Sequence, residues 1–147
     1  MVKDIITTIS GRPGSGKSVV AKALAKKLKL KHYSTGDFMR ALAKKRGMSL
    51  IELSEEAKRD NGKIDRQLDA YQKKLGATQT NFVIDGRLGF HFIPHAIKIF
   101  LDVDPEVAAA RIVKQRRGGV EKIRTLTEAT RELAKRTRLE RERYNKY

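Results

Sequence analysis

Ile5-Ile6-Thr7-Thr8-Ile9 is a β-branched apolar run that stops at Gly11, the pattern of a buried strand. The period then changes. Val20, Ala21, Leu24, Ala25 and Leu28 recur at helical spacing and predict a helix over 17–30. Lys31-His32-Tyr33-Ser34 reads as a second short strand, and a helix over about 37–46 opens at Gly36-Asp37 and ends at Gly47. Ser49 followed three residues later by Glu52 has the form of a capping box and starts a helix that runs to about Arg59. Asn61-Gly62 breaks that helix. Ile64, Leu68, Tyr71 and Leu75 then share one face of a helix over 64–75, with Gly76 as its expected stop. Phe82–Asp85 and Ile97–Leu101 read as the third and fourth strands. Asp104-Pro105-Glu106 is a strong helix start, with proline in the first turn and acids near the positive dipole end, and that helix runs to about Gln115. Past Gly118-Gly119, a long basic helix fills about 125–146, capped by Thr125 or Thr127. Strands alternating with helices predict an α/β fold built on a parallel, three-layer sheet.

Between the first strand and the first helix stands Gly11-Arg12-Pro13-Gly14-Ser15-Gly16-Lys17-Ser18, which matches G-x-x-x-x-G-K-[ST] at every fixed position. The glycines let the backbone curl so that successive N–H groups face phosphate oxygens. The loop feeds a helix N-terminus, whose partial positive charge favours an anion. Lys17 adds a full charge for the β- and γ-phosphates of ATP, and Ser18 offers a hydroxyl to Mg²⁺. The bland alternative, a chance glycine-rich turn, does not account for the strand before it and the helix after it.

Val83-Ile84-Asp85-Gly86-Arg87-Leu88-Gly89 lies at the end of a predicted central strand, where open α/β sheets bind ligands. Asp85 can order Mg²⁺ or its waters, Gly86 permits close backbone approach, and Arg87 is a candidate clamp for an acceptor phosphate. The competing reading of Asp85 is a capping carboxylate.

Ser34-Thr35-Gly36-Asp37-Phe38-Met39-Arg40 resembles the segment that opens the acceptor-binding region of nucleoside monophosphate kinases. By that resemblance Thr35, Asp37 and Arg40 face the monophosphate, which needs a guanidinium fork for two parallel charge-assisted hydrogen bonds. The competing reading is a strand-to-helix turn with a solvated Arg40. Gly47-Met48-Ser49-Leu50 and Asp85-Gly86-Arg87-Leu88 narrow the likeness, so that the chain from about residue 3 to 147 resembles archaeal-type cytidylate kinases, more weakly over 88–95. The resemblance implies a P-loop kinase fold with strand order 2-3-1-4, and ATP and Mg²⁺ as cofactors. It implies transfer of the γ-phosphoryl group of ATP to CMP or dCMP, giving ADP and CDP or dCDP. Adenylate kinases share much of this pattern and are the nearest alternative.

The same resemblance assigns the basic end. Arg111, in Ala110-Arg111-Ile112-Val113, corresponds to an arginine beside the donor nucleotide at the entry to the lid, with Arg116 and Arg117 before a Gly118-Gly119 hinge. Arg136 and Arg143 match the two ends of the post-lid arginine stretch. The catalytic set so implied is Lys17, Arg87, Arg111 and Arg136, with Arg143 on the substrate. The expected plan is a single domain with core 1–35 and 80–113, acceptor-binding region 36–76, lid 114–127 and post-lid helix 128–147. The family continues with a further strand, a donor-base loop and a final helix. This sequence ends at Tyr147, so a four-stranded sheet with an exposed edge beside the fourth strand is expected.

Composition changes this picture little. A net charge of +16 invites a nucleic-acid reading, in which a non-catalytic P-loop protein holds RNA or a ribosome. Residues 1–110 carry 20 basic and 12 acidic side chains and residues 111–147 carry 13 and 5, so basic density peaks in the proposed lid and post-lid helix. With aromatics at 6% a base-stacking surface is disfavoured, and nucleic acid is not the expected partner. Absence of cysteine excludes disulfides and cysteine–metal sites and suits a reducing cytoplasm. No apolar run reaches the roughly 20 residues a bilayer needs, and no signal-peptide core precedes the first strand. A cytoplasmic monomer is expected. His32, His91 and His95 lack the spacing of a metal triad and read as surface or packing residues.

Overall fold

A computed structural model describes residues 4–115 and 125–145. The element order is β1 (Ile6–Gly11), α1 (Lys17–Leu28), β2 (Lys31–Ser34), α2 (Thr35–Arg46), α3 (Leu50–Arg59), α4 (Lys63–Thr78), β3 (Phe82–Asp85), α5 (Gly89–Phe92), β4 (Ile97–Leu101), α6 (Pro105–Gln115) and α7 (Leu126–Tyr144). Arg116, Arg117 and the Gly118-Gly119 hinge, and with them most of the expected lid, lie outside the described residues. The chain forms two compact units: Met1–Gly11, Gly16–Phe38 and Asp65–Leu101 in the first, Arg12–Ser15, Met39–Ile64 and Asp102–Tyr147 in the second.

The first unit is a parallel four-stranded sheet in the expected order β2-β3-β1-β4. Alternation along the strands sorts the side chains onto two faces. Ile6, Phe82 and Ile84 share one face and pack with Leu75, Ile93 and Ala96, flanked by Tyr33 and Tyr71. The Tyr33 and Phe82 rings meet edge to face at 5.5 Å. Ile9 and Val83 share the other face, where Ala21 and Ala25 of α1 cover them. Helix, sheet and helix thus form the three expected layers. Burying Phe82, which is fully enclosed, contributes about 1.5–3 kcal/mol. Among the described residues β4 is an edge, with Ile97 59% and Phe100 66% exposed.

The second unit is helical. Ala108 and Ala109 of α6 pack with Ala129 and Leu133 of α7. Two ion pairs tie α7 to α3, Glu142 to Lys58 and Lys135 to Glu55. The Ser49 capping box is present, and Thr125 caps α7 by accepting from the Glu128 N–H at 3.1 Å.

Two expectations, the stop of α4 and the start of α2, need correction. Gly76 does not stop α4, which runs to Thr78. A Cβ there would sit 3.0 Å from both Cγ1 and Cγ2 of Ile93, so glycine serves a close side-chain approach inside a continuing helix. Packing has overridden a propensity cost of about 1 kcal/mol. Val20 and Leu28 are 40% and 45% exposed, because the buried stripe of α1 is the narrow Ala21–Ala25 line. Helix α2 starts at Thr35, two residues early. A short helix, α5, occupies Gly89–Phe92, within the stretch where the family resemblance is weaker. No helix among the described residues is long and apolar enough to cross a membrane.

Candidate phosphoryl-transfer site

Where β1 meets α1 the chain turns through two left-handed glycines, Gly14 at φ 77° and Gly16 at φ 85°. L side chains rarely adopt this region, and here it lets the chain curl back into the helix. The Ser15 N–H closes the turn by donating to the Arg12 carbonyl at 3.1 Å. Gly16 is the N-cap of α1 and offers no side chain to its orphan N–H groups, and no acid stands in the first turn. Helices α3 and α7, by contrast, have hydroxyl caps and an acid in the first turn. The start of α1 therefore has no capping side chain or acid of its own, and Lys17 is its first residue and only 9% exposed. The hydroxyl of Ser15 is buried with no partner. A buried hydroxyl beside uncompensated N–H groups fits a phosphate chain.

The sheet unit gathers a second set of groups. Parallel register sets Ser34 of β2 beside Asp85 of β3, and alternation puts His32, Ser34, Val83 and Asp85 on the face that α1 covers. Asp85 is 2% exposed. Its Oδ1 accepts from Ser34 Oγ at 2.9 Å and from Ser18 Oγ, in the first turn of α1, at 3.2 Å. His32 Nε2 lies 2.6 Å from its Oδ2. The Thr35 hydroxyl donates to the Asp85 carbonyl at 3.3 Å. The Gly86 N–H donates to the Ile9 carbonyl at 3.0 Å, and the close approach at Gly86 is made by the Thr35 side chain. The Asp37 N–H donates to Ser34 Oγ at 3.2 Å, while its own side chain is exposed. Arg87 follows two residues after Asp85 and is half-buried.

In the helical unit the phosphate-loop residues Arg12 to Ser15 pack against α6. A Cβ on Gly14 would meet the Ala108 Cβ at 2.7 Å. Pro13 is buried, and exposed Arg12 pairs with Asp102 at 3.6 Å. Arg111 Nη1 donates to the Ser15 carbonyl at 3.5 Å, which ties α6 to the same loop. Arg40 on α2 and Arg136 on α7 are half-buried, and Arg143, two turns beyond Arg136, is 7% exposed.

The sequence-derived residues thus divide. Ser18, Thr35, Asp85 and Gly86 are brought into one hydrogen-bonded group, and Arg111 is joined to Ser15. His32 and Ser34 were not among the candidate site residues. Their signal was present: two polar side chains at i and i+2 on a strand whose neighbour ends in a buried aspartate.

A sequence model of a family described as an AAA domain matches residues 10–130. The cytidylate kinase of Archaeoglobus fulgidus is 43% identical over 130 residues, covering 88% of this chain and 72% of that protein. The cytidylate kinase of Sulfurisphaera tokodaii is 40% identical over 113 residues, covering 76% of this chain and 62% of that protein. This chain is therefore shorter than both. Among solved structures, the shikimate kinase of Bacteroides thetaiotaomicron superposes with a TM-score of 0.60 at 18% identity, over 94% of this chain and 82% of that one, a likeness of fold.

Proposed function

This chain belongs to the cytidylate kinase family of P-loop proteins, and from that premise we propose that it transfers the γ-phosphoryl group of ATP to CMP or dCMP. The observation that carries the reading is the uncapped, acid-free start of α1 behind Gly14 and Gly16, with Lys17 at its head and the Ser15 hydroxyl unpaired.

Gly11, Arg12, Pro13, Gly14, Ser15, Gly16, Lys17 and Ser18 form the ATP-binding segment. Backbone N–H groups take the phosphate oxygens, and the Lys17 ammonium neutralises charge at the β- and γ-phosphates. An oxygen of the acceptor phosphate attacks the γ-phosphorus, the bond to the β–γ bridging oxygen breaks, and ADP leaves with those electrons. The attacking atom is already an anionic oxygen, so no side chain has to remove a proton. Alignment and charge neutralisation remain as the protein's work. Arg40 and Arg87 are each assigned to the acceptor monophosphate, while Thr35, Asp37 and Gly86 belong to the acceptor-binding segments, Thr35 and Gly86 with their hydrogens already committed to the Asp85 and Ile9 carbonyls. Arg111, Arg136 and Arg143 meet the charge of the migrating group and the substrates.

Ser18 and Asp85 are the residues that would hold Mg²⁺. The Ser18 proton is committed to Asp85, which leaves its lone pairs free for a hard cation. Among the described residues no cluster of three or more His, Asp or Glu could hold an ion. The Ser18 oxygen, with Asp85 ordering it or the bound waters and the rest from phosphate and water, would suit magnesium. When bound, the ion supplies positive charge to the phosphate oxygens.

A nucleic acid is a weaker partner for α7, since Lys135 is paired with Glu55 and Arg143 is buried. The protein acts as a cytoplasmic monomer on small nucleotides. A coupled assay of ADP release across CMP, dCMP, UMP and AMP tests the reading. The highest kcat/KM is expected with CMP or dCMP. A best rate with AMP moves the assignment to adenylate kinase, and failure with all four, in folded protein that binds ATP, removes it.

A further inference from the structure

We propose that His32 is a positioning residue for Asp85, holding the carboxylate in the one orientation that keeps Oδ1 turned to Ser18. The inference rests on the reading of Ser18 and Asp85 as the magnesium-facing pair.

Asp85 leaves β3 at its last residue, and its side-chain plane can rotate through a broad range about χ2. Ser34 grips one oxygen, Oδ1, at 2.9 Å. A single grip leaves the carboxylate free to pivot about that oxygen. His32 grips the other oxygen, Oδ2, at 2.6 Å, and two anchors on different oxygens fix the plane. Both anchors come from one strand. His32 and Ser34 are two residues apart on β2, on the same face, and β2 is locked to β3 with Ser34 opposite Asp85. With the plane fixed, Oδ1 can accept from Ser18 at 3.2 Å, and the Ser18 lone pairs acquire a defined direction.

The choice of residue follows from the environment. The side chains of His32 and Asp85 are 18% and 3% exposed, so Oδ2 needs a donor that water does not replace. An imidazole that carries a proton on Nε2 supplies that donor. A lysine or arginine at position 32 would form a fixed ion pair with Asp85 and oppose a cation held at Ser18. Partners of this kind behind a metal-facing group typically alter metal affinity 10–100-fold.

The test uses the full chain and calorimetric titration with ADP, with and without Mg²⁺. The ratio of the two dissociation constants is the metal-dependent gain. In His32→Ala this gain should fall about 10-fold or more while metal-free ADP affinity stays within about twofold. His32→Gln, whose amide N–H can reach the same oxygen, should restore most of it. Thermal unfolding of each variant is recorded alongside, and if His32→Ala does not fold, the test passes to His32→Gln and His32→Leu on the same readout. A His32→Ala protein that keeps the full gain, or loses metal-free and metal-dependent affinity equally, overturns the proposal. So does a glutamine variant no better than alanine. If the unmodified protein itself binds ADP with no gain from Mg²⁺, the magnesium reading of Ser18 and Asp85 fails and takes this inference with it. A gain in the unmodified protein that persists in His32→Ala removes only the role of His32.

Discussion

A Cβ placed on Gly86 would lie 2.2 Å from Oγ1 of Thr35 and 2.9 Å from its Cγ2. Thr35 fills that space because its hydroxyl donates to the carbonyl of Asp85, the residue before Gly86. The end of β3 and the start of α2 are thereby fastened through a contact that tolerates no side chain. Gly86→Ala should destabilise the protein by about 1–3 kcal/mol, the usual range for overpacking. Pairing it with Thr35→Ala removes both atoms nearest the clash, so the double variant should be less destabilised than the two single effects predict. Thermal or urea unfolding of the three variants checks this, and strict additivity would mean that the two residues do not collide.

Lys17 stands at the first position of a helix with no capping side chain and no acid in its first turn. No other charge in that turn compensates for its loss. Lys17→Ala should lower kcat/KM for phosphoryl transfer by at least about 100-fold, about 2.7 kcal/mol of transition-state stabilisation. ATP affinity should fall in the same variant. Steady-state kinetics together with a direct nucleotide titration measure the two effects, and an unchanged ATP affinity would contradict the assigned cradle.

Much of this was legible before any coordinates. The four strands and the loop at 11–18 followed from period changes and from one motif whose spacing has a physical cause, and the strand order from the family resemblance. Ser49 and Glu52 announced their capping box because that interaction is local, three residues apart. The errors arose where distant residues decide. Gly76 reads as a stop, yet Ile93, far along the chain, needs the missing Cβ. His32 reads as a packing residue, yet the register of two strands from distant parts of the chain sets it against Asp85. Which positions of α1 are buried was not read at all, because it depends on how narrow a line of the helix meets the sheet, which helical spacing alone does not fix.

The two candidate acceptor clamps, Arg40 and Arg87, reside on different elements, α2 and the loop after β3. Both are half-buried, so each can hold its guanidinium with some order while keeping access to a ligand. A monophosphate dianion draws on bidentate contacts that lysine cannot reproduce. Arg40→Lys and Arg87→Lys should each raise KM for CMP by about 10-fold or more, with KM for ATP changed less than about twofold, since each charge-assisted contact is worth about 1.5–3 kcal/mol. Equal effects on both substrates would place the arginine on a shared structural element instead of on the acceptor.

The capping box of α3 allows a prediction about pH as well as about stability. Ser49 Oγ accepts from the Glu52 N–H at 3.1 Å, and Glu52 Oε2 accepts from the Ser49 N–H at 2.7 Å. The Ser49 backbone bond, followed by its hydroxyl, holds the Glu52 carboxyl below its ordinary value of 4.5. A lowered folded-state value means that the unfolded chain binds a proton first as pH falls. The Glu52 contribution is therefore complete above about pH 4.5 and is lost as pH falls through the lower folded-state value. Ser49→Ala should cost about 1 kcal/mol at neutral pH by removing a hydroxyl cap. Glu52→Gln keeps an acceptor but has no proton to gain, so its stability should fall less steeply between pH 5 and 3 than that of the unmodified chain. Urea unfolding at several pH values separates the two, and parallel pH profiles would mean that the Glu52 carboxylate adds nothing the neutral amide does not.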